Sequence, residues 1–213
     1  MSLLVLNEIV AGRAPPAICF SVAEFHKMLA DGILIDGQPL ELIDGIILQK
    51  DRAAAGEAPM THGKRHAIAI EEIDDLLAAH AGNSGCSVRA QLPVTLSDVS
   101  EPEPDLALVM GKIRDYLDHH PGSSEALLVI EVADSSLHYD RTIKQGLYAA
   151  AEIREYWIVN LIDDQIEVHR TPIVDERRYA QRCVFGLGEV VPLPLPGNVS
   201  VELRVDELVP PRP

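Results

Sequence analysis

Three charged side chains in the middle of the chain stand where a folded protein rarely tolerates charge. Glu131 interrupts the apolar run LLVIEVA, and Asp105 begins another apolar run, DLALVM. Lys144 follows in DRTIKQGLYAAAEI, which has the pattern of a helix. An ionised carboxylate is very costly to bury unless it is paired or bound to a metal. Two strand-borne acids and one helix-borne cation therefore predict a metal site that acts on a phosphodiester.

The predicted strands decide whether the two acids can meet. Side chains two residues apart share a face of a strand, so Glu131 should point the same way as Leu127, Val129 and Ala133. If Asp105 lies at the end of the neighbouring strand, the carboxylates should come within about 6 Å and perturb each other's pKa. Mg²⁺ or Mn²⁺ would relieve their repulsion, since Mg²⁺ takes oxygen ligands at about 2.1 Å and keeps several waters.

Each of the three residues also has a simpler interpretation. Asp105 follows Pro104 and could be a turn residue. Glu131 could form a buried salt bridge with Lys144 or Arg141, because structural ion pairs also place charges inside proteins. Lys144 alone could lie on a solvated helix face. The metal site is favoured by the combination of the three, not by any one of them.

The first half of the chain contains a helix, a hairpin and a second helix. SVAEFHKMLAD has the capping-box spacing of Ser21 and Glu24 at a helix start. LELIDGIILQK predicts a hairpin, because Asp44-Gly45 suits a tight turn with positive φ angles. Residues 51–61 have no periodicity and predict a loop. HGKRHAIAIEEIDDLLAAHAG then predicts an amphipathic helix ended by Gly82.

The second half consists mainly of strands. CSVRAQLPVTL alternates over residues 86–96 and predicts one continuous strand, while DLALVM and EALLVIEVA have the apolar character of central strands. EYWIVNL, QIEVHR, RYAQRCVF and NVSVEL predict later strands, mostly antiparallel. The expected fold is a mixed α/β sheet flanked by helices. One domain should span residues 1–213, with terminal extensions at 1–19 and 205–213.

The charge of the chain argues against a nucleic-acid partner. The formal net charge is −15, whereas non-specific DNA binding depends on Lys and Arg that neutralise phosphates. A bound divalent metal would cancel part of that charge locally. Several basic residues also stand near the predicted site in sequence, namely Lys64, Arg65, Arg89, Arg141 and Lys144.

Composition also suggests a compartment. No stretch approaches the roughly 20 apolar residues of a membrane-spanning helix, so no membrane association is expected. Three widely spaced cysteines, Cys19, Cys86 and Cys183, form no zinc-binding pattern. An odd number of cysteines without pairing fits the reducing cytoplasm.

Six segments in a fixed order make the chain resemble a known family. They are FSVAEFHKML, LELIDGIIL, MTHGKRH, EPEPDLALV, LLVIEVADSS and DRTIKQGLYAAAEIREYWIVNL, which span most of residues 20–170. This set resembles the Uma-type family of restriction-endonuclease-like proteins, a group within the PD-(D/E)XK nuclease superfamily. The resemblance implies a restriction-endonuclease-like fold, with the N-terminal helix and β-hairpin as an extension.

The resemblance also implies a set of site residues. Asp105 and Glu131 would be the paired acids, and Glu41 a further acid that binds metal through water or pairs with Lys144. His62 would bind a phosphate or hold the attacking water. The superfamily's lysine normally stands two residues after the second acid, where this chain has Ala133; in this family a lysine from the following helix, here Lys144, appears in its place. Tyr148, one helical turn further, could position Lys144 or pack between helix and sheet.

The expected function is Mg²⁺- or Mn²⁺-dependent hydrolysis of phosphodiester bonds in nucleic acid, with DNA as the expected substrate. A homodimer is expected, since two symmetric active sites are the simplest way to cut both strands of a duplex. The alternative is a non-catalytic regulatory or protein-interaction module that retains the fold, which the charge of −15 and Ala133 favour. A hydrolase acting on a smaller phosphodiester is a third possibility.

Overall fold

A six-stranded mixed sheet forms the centre of the fold. The computed structural model describes residues 9, 11–13, 15–35, 37–50, 63–82, 84–197 and 199–212. The strand order is β3-β4-β5-β6-β7-β8, in which only β5 and β6 run parallel. The strands are β3 (Cys86–Ala90), β4 (Leu106–Met110), β5 (Ala126–Ala133), β6 (Glu155–Asn160), β7 (Gln165–Ile173) and β8 (Arg178–Gly186). The predicted mixed α/β architecture is confirmed.

Helical segments cover both faces of this sheet. Helix α2 (Lys64–Ala81) packs on one face. The connection from β5 to β6 covers the other face and consists of α3 (Leu137–Tyr139), a π-helical turn (Asp140–Lys144) and α4 (Gln145–Ala150). Among the described helices, none is long and apolar enough to cross a membrane.

Two apolar clusters correspond to these two faces. The first contains Ile73 and Leu77 of α2 together with Leu106, Leu128 and Ile130 of the sheet. The second contains residues of the β5–β6 connection and the opposite face of the sheet, including Leu147, Tyr148, Val129, Ala133 and Ile158. Alternate residues of β5 therefore face different clusters, and both sides of the strand are buried, as expected for a central strand.

The N-terminal helix and hairpin form as predicted. Helix α1 (Val22–Ala30) begins with a complete Ser21–Glu24 capping box. Strands β1 (Leu40–Ile43) and β2 (Ile46–Gln49) pair antiparallel around Asp44 and Gly45, whose φ angles are 48° and 75°. A Cβ atom at Gly45 would stand 2.3 Å from that of Cys19, so glycine is required there. The loop predicted at 51–61 lies outside the described residues.

The predicted continuous strand over residues 86–96 is wrong. Strand β3 ends at Ala90, and Gln91 adopts a φ of 50°, which breaks the extended conformation. The chain then crosses to the opposite side of the sheet: Val88 and Ala90 pack against the first cluster, whereas Val94 and Leu96 belong to the second. Alternation alone could not reveal this break, because residues on both sides of it keep the same period.

The predicted face of Leu127 is also wrong. The register of β4 with β5 shifts between Leu108, which pairs with Leu128, and Val109, which pairs with Ala126. Leu127 is the extra residue of this bulge and packs against the first cluster, while Val129 and Ala133 lie in the second. A bulge inserts one residue and reverses the side-chain alternation before it. Glu131 lies beyond the bulge, so its orientation is unaffected.

The C-terminal part forms a separate two-stranded sheet. Within the described part of the chain, strands β9 (Val190–Leu195) and β10 (Val199–Arg204) pair with each other and with no other strand. Helix α5 (Val205–Leu208) follows directly, and Val205, Leu208 and Val209 are buried in the first cluster. The segment predicted as a C-terminal extension therefore contributes to the core. The single-domain organisation stays a prediction.

Candidate active site

Four charged side chains are buried in the wall of one cleft. The cleft has a volume of about 1180 Å³ and lies where the β1–β2 hairpin, the sheet and the β5–β6 connection meet. Glu41, Asp105, Glu131 and Lys144 all line it, with exposures of 2, 8, 5 and 3%. Charged residues are almost never buried to this degree unless they are paired or functional.

Adjacent strands bring Asp105 and Glu131 together. Asp105 immediately precedes β4, and Leu106 pairs with Ile130 of β5. The backbone amide of Asp105 donates to Glu131 Oε2 at 3.3 Å. In return, the amide of Val132 donates to Asp105 Oδ2 at 2.8 Å. The two acids are thus held in the same part of the cleft by a reciprocal pair of main-chain hydrogen bonds.

Lys144 reaches these acids from the β5–β6 connection. It is the last residue of the π-helical turn, in which the amide of Gln145 donates to the Asp140 carbonyl. Its Nζ lies 2.6 Å from Glu41 Oε1 and 3.1 Å from Glu131 Oε1. Single π turns inside helices occur frequently at functional sites. Here the turn carries the lysine into the cleft.

Tyr148 supports this arrangement one turn further along. Its hydroxyl donates to Glu131 Oε1 at 2.7 Å, and its ring lies 6.0 Å from Lys144 Nζ. Tyr148 is fully buried against Tyr156, so its position is fixed by packing. The packing considered from the sequence therefore applies to this side chain, and a role in positioning Lys144 stays a prediction.

The hairpin supplies Glu41 and a second lysine. Glu41 on β1 accepts a hydrogen bond from the amide of Glu103 at 2.9 Å. Lys50, just after β2, donates to the Glu103 carbonyl at 2.6 Å and places its Nζ 3.5 Å from Glu41 Oε1. The family resemblance implies that this hairpin is an extension of the fold. In the structure, the hairpin forms a wall of the cleft.

His66 contacts the acid pair from helix α2. Its Nε2 lies 3.4 Å from Asp105 Oδ2. Burial lowers the pKa of His66, but the hydrogen bond and the charge of Asp105 outweigh this and raise the pKa overall. The same contact counteracts the effect of burial on Asp105 and holds the pKa of its carboxyl below the usual value.

Burial and neighbouring charges shift the pKa values of Glu131, Glu41 and Lys144 in opposite directions. Burial raises the pKa of Glu131, only partly offset by the Lys144 ammonium. Glu41 is equally buried, but Lys144 and Lys50 keep its pKa below the usual value. Burial alone would lower the pKa of Lys144, yet the charges of Glu131 and Glu41 raise it. The two glutamates therefore favour the charged form of Lys144.

Asp140 is a further buried acid in the cleft. Burial first, and then the charge of Glu131, raise the pKa of Asp140 to about 8. Its Oδ2 accepts a hydrogen bond from Ser136 Oγ at 2.5 Å. Asp140 lies four residues before Lys144 on the same π turn, and its environment favours the protonated form.

Most of the residues that the sequence singled out for chemistry lie together. The structure gathers Glu41, Asp105, Glu131 and Lys144 in the cleft, and His62 lies outside the described residues. Ala133 is fully buried. The other basic residues near the motifs are not part of the cleft wall: Arg65 contacts Asp164, and Arg141 contacts Glu167.

Sequence reasoning missed His66, Lys50 and Asp140. His66 lies on the buried stripe of α2 together with Ala69 and Ile73, and that spacing was a signal that could have identified it. Among the described residues, Lys50 contacts Glu41 and Glu103, which depends on how the hairpin closes, and the depth of Asp140 depends on a π turn. No local pattern indicates either of these two.

The donor atoms of the cleft suit a hard divalent cation. Carboxylate oxygens are the ligands that Mg²⁺ prefers, and it is usually bound by only one or two carboxylates together with water. Of the described acids, Glu41, Asp105 and Glu131 do not form a set whose ligand oxygens all lie within 4.8 Å of one another. Glu41 Oε1 and Glu131 Oε1 both contact Lys144, whereas Glu131 Oε2 lies at the Asp105 amide. Asp105 and Glu131 are therefore the pair suited to bind a metal directly.

Comparisons with known proteins agree with the fold. A family model described as "Uma2: Putative restriction endonuclease" matches residues 22–206. A crystal structure described as a "putative nuclease belonging to DUF820", from Anabaena variabilis ATCC 29413, is similar with a TM-score of 0.63. The match has 18% sequence identity and covers 89% of this chain and 97% of the other. No curated protein sequence matches significantly.

Proposed function

The chain belongs to the Uma2 family, described as "Putative restriction endonuclease", and we propose that it hydrolyses phosphodiester bonds in nucleic acid with the help of Mg²⁺ or Mn²⁺, DNA being the expected substrate. One observation carries this proposal: Glu41, Asp105 and Glu131 come from separate elements and are buried together with Lys144 in one cleft. Perturbed titratable groups of this kind concentrate at functional sites.

The acids fit a metal by their chemistry. Asp105 and Glu131 would bind Mg²⁺ or Mn²⁺ directly, and Glu41 would act through water or through Lys144. Each carboxylate oxygen has about two acceptor positions. Glu131 Oε2, which accepts only the Asp105 amide among the described contacts, keeps capacity for a further partner. A bound divalent metal polarises a phosphate and lowers the pKa of a coordinated water.

The remaining residues provide charge and position. Lys144 supplies a fixed positive charge where negative charge develops on the phosphate. Glu41 fixes the ammonium through its 2.6 Å contact. Tyr148 holds Glu131, and His66 holds Asp105. These contacts hold the charged groups in fixed positions, which is the condition for effective electrostatic stabilisation.

Lys144 would also supply the positive charge that Ala133 cannot provide at the usual lysine position. Ala133 and Glu131 face the same cluster as α4. A lysine from the β5–β6 connection therefore approaches Glu131 from the side on which a lysine at residue 133 would lie. The cation is supplied by a different element of the same cleft, which supports catalytic activity over the interaction-module alternative.

A cleavage assay tests the proposal. Single-stranded DNA, duplex DNA and RNA of mixed sequence are incubated at low salt with Mg²⁺, Mn²⁺ or EDTA. We expect metal-dependent cleavage by the wild type and a loss of about a hundredfold or more in Lys144→Ala, as for other preorganised charge-stabilising groups. Asp105→Asn should lose both cleavage and metal binding. Lys27→Ala, an exposed lysine of α1, is the control.

Two outcomes would contradict the proposal. Equal cleavage by the wild type and Lys144→Ala would identify a contaminating nuclease. A wild type that neither binds Mg²⁺ or Mn²⁺ in calorimetry nor cleaves any substrate would favour the regulatory or protein-interaction module.

A further inference from the structure

A second group of potential ligands lies on the wall of the same cleft. His26 on α1, Glu101 and His120 each place one ligand atom within 4.8 Å of the others, the one such set of three among the described residues. All three line the cleft. They come from separate parts of the chain: the N-terminal helix, a segment bridged to Leu42 of the hairpin, and the loop before β5.

Glu101 is the buried centre of this group. It is 3% exposed, and its Oε1 lies 2.5 Å from His26 Nε2. Its other oxygen accepts a hydrogen bond from Thr95 Oγ1 at 2.6 Å. A buried carboxylate held from behind by a hydroxyl resembles the hydrogen-bonded carboxylates that bind metals in proteins. The His26 side chain is 46% exposed, so the group is accessible to an ion from solvent.

His120 contacts the cation Arg89 through one of its ring nitrogens. Arg89 Nη2 lies 3.4 Å from His120 Nδ1. A guanidinium can only donate hydrogen bonds, so its imidazole partner must accept and is neutral. Metals bind the neutral form of histidine.

We propose that His26, Glu101 and His120 form a site for a single borderline transition-metal ion of the Zn²⁺ type, distinct from the hard-cation site at Asp105 and Glu131. Two imidazoles and one carboxylate are a known ligand set for Zn²⁺, which leaves a fourth position for water or substrate. Imidazole nitrogen favours Zn²⁺, Co²⁺ and Ni²⁺, whereas Mg²⁺ favours sites made of oxygen alone.

The present geometry requires a small adjustment. Ligand atoms around tetrahedral Zn²⁺ lie about 3.4 Å apart, given Zn–N and Zn–O distances near 2.1 Å. His26 Nε2 and Glu101 Oε1 must therefore separate by about 1 Å from their hydrogen-bonded distance of 2.5 Å. The half-exposed His26 can make that movement, while Thr95 keeps Glu101 in place. The ion would then fasten α1 to the segments that carry Glu101 and His120.

Zinc titration of variants tests the site. The full chain is stripped with EDTA and titrated with ZnCl₂ by calorimetry. We expect His26→Ala and His120→Ala to weaken one zinc-binding event at least tenfold, while Glu131→Gln leaves that event intact. His119→Ala, which removes the exposed neighbour of His120, should bind as the wild type does. Thermal unfolding in EDTA checks that the variants are folded.

Thermal stability provides a second test, because the ion would link α1 to the segments that carry Glu101 and His120. Zn²⁺ should raise the unfolding temperature of the wild type and of His119→Ala by mass action, but not that of His26→Ala. Zinc affinity and thermal shift that are the same in the wild type, His26→Ala and His120→Ala would overturn the proposal. The proposal would also be overturned if His119→Ala lost as much zinc affinity and thermal shift as His26→Ala and His120→Ala. Neither result depends on nuclease activity.

Discussion

Lys144 Nζ lies 2.6 Å from Glu41 Oε1, although 103 residues separate them in the chain. The contact joins the β1–β2 hairpin to the β5–β6 connection, and the same ammonium lies 3.1 Å from Glu131. Both lysine and glutamates are buried. Lys144 is therefore the internal counter-ion of the acidic cleft as well as the cation proposed to act on the phosphate.

This double role predicts a large effect on stability. Lys144→Met should lower the free energy of unfolding by about 3–5 kcal/mol in EDTA, because it leaves two buried carboxylates without their counter-ion. Urea unfolding measures the change. Lys27→Met removes an exposed lysine paired with Asp31 and should cost about 0.5 kcal/mol or less. Similar losses in both variants would mean that Lys144 does not neutralise the cleft.

Tyr148 should influence the rate through Glu131. Tyr148→Phe removes the 2.7 Å hydrogen bond to Glu131 and should lower the cleavage rate by roughly tenfold, the value of one hydrogen bond to a charged group. Tyr179→Phe is a matched control, since its buried hydroxyl donates to the Ile153 carbonyl instead. Both variants should lose comparable stability. An equal effect of both on the cleavage rate would contradict a positioning role for Tyr148.

Asp140 should make the protein less stable as pH rises. Its pKa is about 8 in the folded protein and near 3.9 when unfolded. The folded state thus binds more protons between these values, and the free energy of unfolding falls as pH rises from about 4 to 8. The raised pKa of Glu131 acts in the same direction.

Asp140→Asn isolates this contribution. Urea unfolding at pH 5 and pH 8 in EDTA should show a smaller decline for Asp140→Asn than for the wild type. The exposed acid Asp118 gives the control, and Asp118→Asn should retain the wild-type decline. If Asp140→Asn declines as steeply as the wild type, Asp140 does not titrate in this range.

The exposed edge strand β8 offers a surface through which two copies of the chain could form a dimer. Among the described strands, β8 pairs with β7 alone, and most of its residues, including Val184, are exposed. Exposed edges are places where another chain can pair. We predict a two-fold dimer, which light scattering should detect as twice the monomer mass. A monomer mass over the whole concentration series would remove this prediction.

The sequence revealed the parts of the site whose signal is local. A carboxylate within an apolar strand, as at Glu131, and the DG turn of the hairpin can both be recognised within a few residues. The position of Lys144 on a predicted helix was also recognisable, and the resemblance to a family added Glu41. The fold also followed from the order of apolar runs, which the structure confirms as a mixed sheet flanked by helices.

The parts that the sequence did not reveal depend on irregular backbone or distant contacts. The break at Gln91 and the bulge at Leu127 change which face a side chain occupies without altering the composition of the strand. The π turn determines how deep Asp140 and Lys144 lie. Lys50 meets Glu41 only because the hairpin closes, and the group of His26, Glu101 and His120 assembles from three distant segments.

Locating Mn²⁺ by its anomalous scattering in crystals of the wild type is the most direct test of the central claim, that the acids of the cleft hold a divalent ion for phosphodiester hydrolysis. We predict a peak in contact with both Asp105 and Glu131, near Lys144, that disappears in Glu131→Gln. A peak confined to His26, Glu101 and His120, or no peak in the cleft at a Mn²⁺ concentration that supports cleavage, would contradict the claim.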